Sequence, residues 1–149
     1  MYEHGMIAPV VALVLWTLIM LIWLYATRIP AMAKAKVDPE KVKDGGAPFD
    51  LLPASARRVA ANYNHLHEQP VLFYAICFAL QLLDQANDVN IGLAWLYVAL
   101  RVVHSLVQAT VNIIMIRFTI FVIASIVLFM LTFHAAVASG LAWFNWPLH

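Results

Sequence analysis

Four long apolar runs, at about residues 6–26, 70–83, 91–109 and 113–143, carry most of the chain, and the polar residues that interrupt them are few enough to weigh singly. A helix needs about 20 apolar residues to cross a hydrocarbon core of roughly 30 Å. The second run spans only if the polar approach at 56–69 is added to it. The pattern therefore predicts an all-α chain forming a single domain over residues 1–149, with spans at about 6–27, 56–84, 90–110 and 113–143 and a basic loop over about 28–55.

Local signals place the ends of these spans. Span one contains no charge and ends at Arg28 and Pro30. Span two opens at Pro53 to Ser55, with Ser55 as candidate N-cap. Further on, Pro70 has no N–H to give to the carbonyl of Leu66, which bends the helix where its polar face gives way to apolar sequence. Span four opens near Asn112, a second candidate N-cap, and holds Arg117 in its first turns. The lysine-, aspartate-, glycine- and proline-rich stretch from Ala31 to Pro53 reads as a solvated loop.

Composition agrees with lipid as the solvent: 64% of the 149 residues are hydrophobic and 11% charged, against roughly 25% charged in soluble domains. The net charge is only +1, yet seven of the nine basic residues (Arg28, Lys34, Lys36, Lys41, Lys43, Arg57 and Arg58) fall between spans one and two. The excess of lysine and arginine on cytoplasmic loops puts that segment in the cytoplasm and both termini on the other side. The first run has no basic residues before it and is read as a span, not a removable signal. The single Cys77 excludes an intramolecular disulfide framework and reads as a small buried hydrophobe. His134, alone among apolar residues, reads as a packed or hydrogen-bonded structural histidine, and Trp143 and Trp146 suit the far membrane interface.

Candidate chemistry lies on two stripes. At about 100° per residue Arg101, His104 and Gln108 fall within about 60° of one another on span three, and Arg58, Asn62, His65 and Glu68 share an arc of about 120° on span two. A charge at mid-bilayer costs at least roughly 2.5 to 3.5 kcal/mol, so such groups face a protein interior or a watery cavity and usually serve a function. With the basic loop in the cytoplasm, an up-down order of spans brings both stripes and Arg117 to one leaflet. The carboxylate of Glu68 then faces two deep arginines, and pairing with one leaves the other uncompensated. An anionic ligand bearing carboxylates or a thiolate completes the balance, because arginine forks suit carboxylates and a nearby cation favours a thiolate.

Taken together, R-V-V-H at Arg101 to His104, Gln108, Arg117 at its spacing beyond it, and N-x-x-H-x-x-E from Asn62 through His65 to Glu68 followed by P-V-L-F-Y resemble the MAPEG family. These are small four-helix membrane proteins that include microsomal glutathione transferases, leukotriene C4 synthase and microsomal prostaglandin E synthase. The resemblance covers essentially the whole chain. It implies an integral membrane up-down four-helix bundle, assembled as a homotrimer, with glutathione as co-substrate between neighbouring subunits near the cytoplasmic face. The implied reaction is transfer of the glutathione thiolate to a lipophilic electrophile, or reduction of a lipid hydroperoxide. Arg117 is the implied catalytic residue; Arg58, Asn62, His65, Glu68, Arg101, His104 and Gln108 are the implied glutathione-binding residues. Membrane lipids are the surroundings, with no metal and no nucleic acid, and the resemblance is to a bacterial-type member of an inner membrane or its equivalent.

This chain departs from the family pattern at His65, where asparagine is usual, at Gln108, where tyrosine is common, and at Phe118 and Phe121, where the prostaglandin branch has serine and tyrosine. Two other classes compete. A non-catalytic lipid- or glutathione-binding scaffold of the same fold needs no thiolate; a small multidrug-type exporter needs a deep acidic residue, and span one has none.

Overall fold

The computed structural model of the protein describes residues 5–38, 40 and 52–141. It contains five helical segments: α1 (Ile7–Lys34), α2 (Ala54–His65), α3 (Gln69–Leu82), α4 (Asp88–Ala109) and α5 (Ile114–Ala138). Segments α2 and α3 together occupy the predicted second span, so the architecture is an all-α four-helix bundle with one helix interrupted. Among the described residues α1, α4 and α5 are long and apolar enough to cross a membrane. Lys41, Lys43, Trp143 and Trp146 lie outside the described residues.

Buried positions repeat at helical spacing and set the packing. Phe73, Cys77 and Leu80 on α3 meet Ala94, Tyr97 and Val98 on α4, Ala124, Val127 and Leu131 on α5, and Leu13 on α1 in one core. Helices α4 and α5 form the most extensive helix pair, and the small residues Ala94 of α4 and Ala124 and Ala135 of α5 are buried in the shared core. A second cluster at the other end joins Met20 and Leu24 of α1 to Val59, Leu66 and Ala109. The outward faces carry large apolar side chains such as Leu15, Ile22, Phe129 and Phe133. In water so many would be a liability; in a bilayer they are the favoured surface.

Several ends differ from the sequence expectation. Helix α1 does not stop at Arg28 and Pro30 but continues through Pro30 to Lys34; proline removes one hydrogen bond, and the extension is held by Ala31 against Leu52 and Ala56. Ser55 is not the N-cap of α2, which starts at Ala54 behind Pro53 with no side-chain cap. Asn112 does not cap α5 either: Ile113 holds that place, and Asn112 sits at φ 54° in the connecting turn. Helix α5 ends at Ala138, earlier than 143, because Gly140 adopts φ 73°. There Leu141 N–H donates to Ala136 O and Gly140 N–H to Val137 O, the paired bonds of a Schellman termination.

The interruption between α2 and α3 follows from Pro70 as expected, but the chain opens fully instead of bending. Pro70 sits in the first turn of α3, where its missing N–H is no loss. Residues Leu66 to Glu68 form a turn, with His67 N–H bonded to Asn64 O at 2.9 Å.

Candidate functional site

Helix α4 supplies the spine of the site. Arg101, His104, Ser105 and Gln108 are all buried on its inner face, together with Tyr97. Arg101 is fully inaccessible, a side chain almost never found so without partners. Its Nη2 donates to the carbonyl oxygen of His65 at 3.3 Å, and its guanidinium lies 6.0 Å from the ring centroid of Phe121. The His65 carbonyl belongs to the last turn of α2, so the cation also meets the negative end of that helix.

Helix α2 brings three side chains to this spine. Asn62, also fully buried, donates from Nδ2 to Ser105 Oγ at 2.6 Å. His65 packs edge-on to His104 with ring centroids 5.1 Å apart, and against Phe121 of α5 at 5.5 Å. Arg58 reaches across to the end of α4, where its Nη1 donates to Thr110 O at 2.7 Å. Arg58 thus satisfies an orphan carbonyl at the end of α4, as Arg101 does for α2.

Glu68 corrects the expectation that the carboxylate faces the deep arginines. Its side chain is 69% exposed, and its ion-pair partner among the described residues is His65, whose Nδ1 lies 3.3 Å from Glu68 Oε2. The contact is close but not aligned as a hydrogen bond. The interruption after His65 turns Glu68 outward, a displacement that a continuous helical wheel does not represent. Arg117, half-buried near the start of α5, donates from Nη1 to Asn112 Oδ1 at 2.6 Å. The left-handed backbone of Asn112 aims its side chain along the first turn, a role that asparagine tolerates better than other side chains.

The predicted residues therefore gather around one region, with Arg58 at its edge and Glu68 on its exposed flank. The charges of Arg101 and Arg117 both act on His65 and His104, and that of Glu68 acts on Arg101 and His65. Within the region, Asn62 Oδ1, His104 Nδ1, Gln108 Oε1, Arg101 Nε and Nη1, and Arg117 Nε are buried with no hydrogen-bond partner among the described residues. A buried polar group left unmet costs about 1 to 3 kcal/mol, and a charged one more. A set of this kind on three helices can meet the polar groups of a ligand, and two guanidinium groups suit it to anions.

A deeper relay was not legible in the sequence. Tyr97 Oη donates to Gln69 Oε1 at 3.1 Å, and Gln69 Nε2 donates to Ser125 Oγ at 2.8 Å. Gln69 stands directly after Glu68, the one available signal. Away from the site, His134 Nδ1 lies 2.6 Å from Asn90 Oδ1, in agreement with a hydrogen-bonded structural role. Among the described residues no group of three or more histidine, cysteine, aspartate or glutamate side chains is placed to hold a metal.

No curated protein and no solved structure matches the chain. The model of the MAPEG family matches residues 6–137, from the first residues of α1 to the last turn of α5, and takes in every residue of the site described above. With its membrane-spanning helices and bundled architecture, this integral membrane protein belongs to the MAPEG family, whose members carry glutathione-linked transferase and synthase functions.

Proposed function

We propose that the protein is a membrane glutathione transferase or peroxidase that activates the glutathione thiolate for attack on a lipophilic electrophile or a lipid hydroperoxide. The observation that carries this reading is the fully buried Arg101, with Nε and Nη1 unmet, beside unmet polar atoms of Asn62, His104 and Gln108. Glutathione offers two carboxylates, amide groups and a thiol, which match that donor and acceptor set. In this reading Arg101 takes a carboxylate, Asn62, His65, His104 and Gln108 meet the peptide, Arg58 contributes charge at the rim, and exposed Glu68 receives the ammonium group. Arg117, oriented by Asn112, acts on sulfur.

The apolar electrophile reaches the site from the bilayer, in keeping with the outward apolar faces of α4 and α5. Family membership supports a homotrimer, with glutathione held near the cytoplasmic face between subunits. The basic segment between spans one and two supports termini on the non-cytoplasmic side of an inner membrane or its equivalent.

Titration of glutathione into the full-length protein in lipid nanodiscs, followed by heat and by thiolate absorbance, tests the reading. Saturable binding with thiolate formed at neutral pH is expected. No binding overturns it, and binding with the thiol still protonated at pH 8 transfers the assignment to a glutathione-binding scaffold.

A further inference from the structure

Activating a thiol beside a guanidinium leaves one question of proton balance, since the proton has to go to a group able to accept it. Arginine has no acceptor atom and stays charged at any usable pH, so neither Arg101 nor Arg117 serves. Among the described residues of the region, the side chains able to take a proton are His65, His104 and Glu68. His104 is 2% exposed, its Nδ1 is buried with no partner, and its ring abuts His65 edge-on. A proton taken there has no direct way out. Glu68 is exposed and, by its contact with His65, stands on the outer side of that imidazole.

His65 connects the two. Its Nδ1 is buried and lies 3.3 Å from Glu68 Oε2, while its ring packs inward against His104 and Phe121. The carboxylate beside Nδ1, close though not aligned as a hydrogen bond, favours a proton on that nitrogen, and Nε2 is the nitrogen left to accept one. Nε2 makes no hydrogen bond among the described residues. The groups facing His65 are Arg101 and His104 from α4, Arg117 from α5 and Glu68 from the turn. Two cations oppose a charge on the imidazole, and Glu68 supports it.

We propose that His65 is the base that takes the thiol proton, with Glu68 as the positioning residue that holds its ring and passes the proton to water. This rests on the proposed glutathione site. On activation the S–H bond breaks, its electron pair stays on sulfur, and the proton moves to His65 Nε2. The Glu68 carboxylate then faces the imidazolium, and its exposed side lets the proton from Nδ1 exchange with solvent. When sulfur bonds to carbon of an electrophile, the displaced electron pair leaves with the departing group or stays on the adjacent atom; Nδ1 regains a proton from water by way of Glu68, and Nε2 gives its proton to that atom, which restores the neutral imidazole.

The experiment is stopped-flow mixing of the full-length protein in nanodiscs with saturating glutathione, reading thiolate absorbance and, with a pH indicator, proton release. His65→Gln is expected to bind glutathione more weakly, since His65 also meets the peptide, and at saturating glutathione to reach the same final thiolate, because Arg117 is intact. It should do so about 100-fold more slowly, in the range for loss of a general base. The wild-type rate should rise with pH through the imidazole range; that dependence should vanish in His65→Gln, and added imidazole should restore part of the rate. Glu68→Gln, at saturating glutathione, should slow thiolate formation about tenfold, and Glu68→Asp should recover part of it. A folded His65→Gln with wild-type rate and pH profile overturns the proposal while leaving the glutathione site standing. If His65→Gln does not fold, an unchanged rate in Glu68→Gln overturns it. Wild-type protein that binds no glutathione overturns both the site and this proton route.

Discussion

Arg58 and Arg101 each close the other's helix: Arg58 on α2 donates to Thr110 O at the end of α4, and Arg101 on α4 donates to His65 O at the end of α2. The two helices run antiparallel, so these crossed bonds lock their register at both ends of the polar stripe. The pairs are unequal, because Arg58 is half-buried with its bond at an exposed helix end and Arg101 is wholly buried. Arg58→Ala should therefore lower stability by only about 0.5 to 1.5 kcal/mol, the range for a net hydrogen bond. Arg101→Ala should cost glutathione affinity at least tenfold, and Arg101→Lys should not restore it, since a single ammonium cannot reproduce the planar fork. Thermal unfolding and a glutathione isotherm on both variants check this.

Arg117 is expected to act on sulfur more than on affinity. Moving a thiol from about 8.5 to about 6.5 takes some 2.7 kcal/mol of differential stabilisation. A half-buried guanidinium at the start of α5, aided by the positive end of that helix, is of the right order. Arg117→Ala should abolish thiolate absorbance at neutral pH with glutathione affinity kept within about tenfold, and Arg117→Lys should keep part of the effect. Asn112→Ala, which frees Arg117 Nη1, should give an intermediate thiolate yield.

Ser105→Ala tests the buried pair with Asn62. Removing the hydroxyl leaves both polar atoms of the Asn62 side chain unmet in a site with no exposure. A loss of about 1 to 3 kcal/mol in unfolding free energy is expected, and glutathione binding should recover part of it by linkage if Asn62 belongs to the site.

Orientation can be read chemically without removing Cys77, which is fully buried. A cysteine placed at Lys34 should resist an impermeant maleimide added outside intact cells and react once the membrane is opened. Strong labelling from outside would reverse the topology and separate the basic segment from the cytoplasm.

Gly140→Ala should cost about 1 to 2 kcal/mol. A Cβ at Gly140 meets nothing within 4 Å, so the whole cost is the left-handed backbone at φ 73°. A much larger loss by thermal unfolding would mean that the turn does more than end α5.

Much of this was legible because helical periodicity survives in lipid. Arg101, His104 and Gln108 fall on one wheel position, and the fold buries all three; Pro70 announced an interruption, and one is there. What periodicity cannot express is what happens across a break. Glu68 is placed by the turn after His65 and not by the wheel of α2, so its outward direction was invisible. Asn112 carried two competing signals, a helix cap and a left-handed turn, and only the arginine five residues on decides between them. At Pro30 the reverse holds: proline forbids one hydrogen bond but not a helix, and Ala31 against Ala56 is a tertiary contact that no local reading contains. The bridge from Tyr97 through Gln69 to Ser125 joins three helices and has no sequence period at all.

The apolar segments α1 and α3 differ greatly in reach. At 1.5 Å per residue, the 28 residues of α1 extend about 42 Å, whereas the 14 of α3 extend about 21 Å. Against a hydrocarbon thickness of roughly 30 Å, α1 must tilt or emerge, while α3 falls short and completes its crossing only with the more polar α2. A short apolar segment favours local thinning of the bilayer, here on the flank where His65 and Glu68 precede α3. Membrane thickness becomes a variable of the site: in reconstituted lipids of increasing acyl length, the depth at which a substrate's reactive carbon rides will move away from the polar stripe.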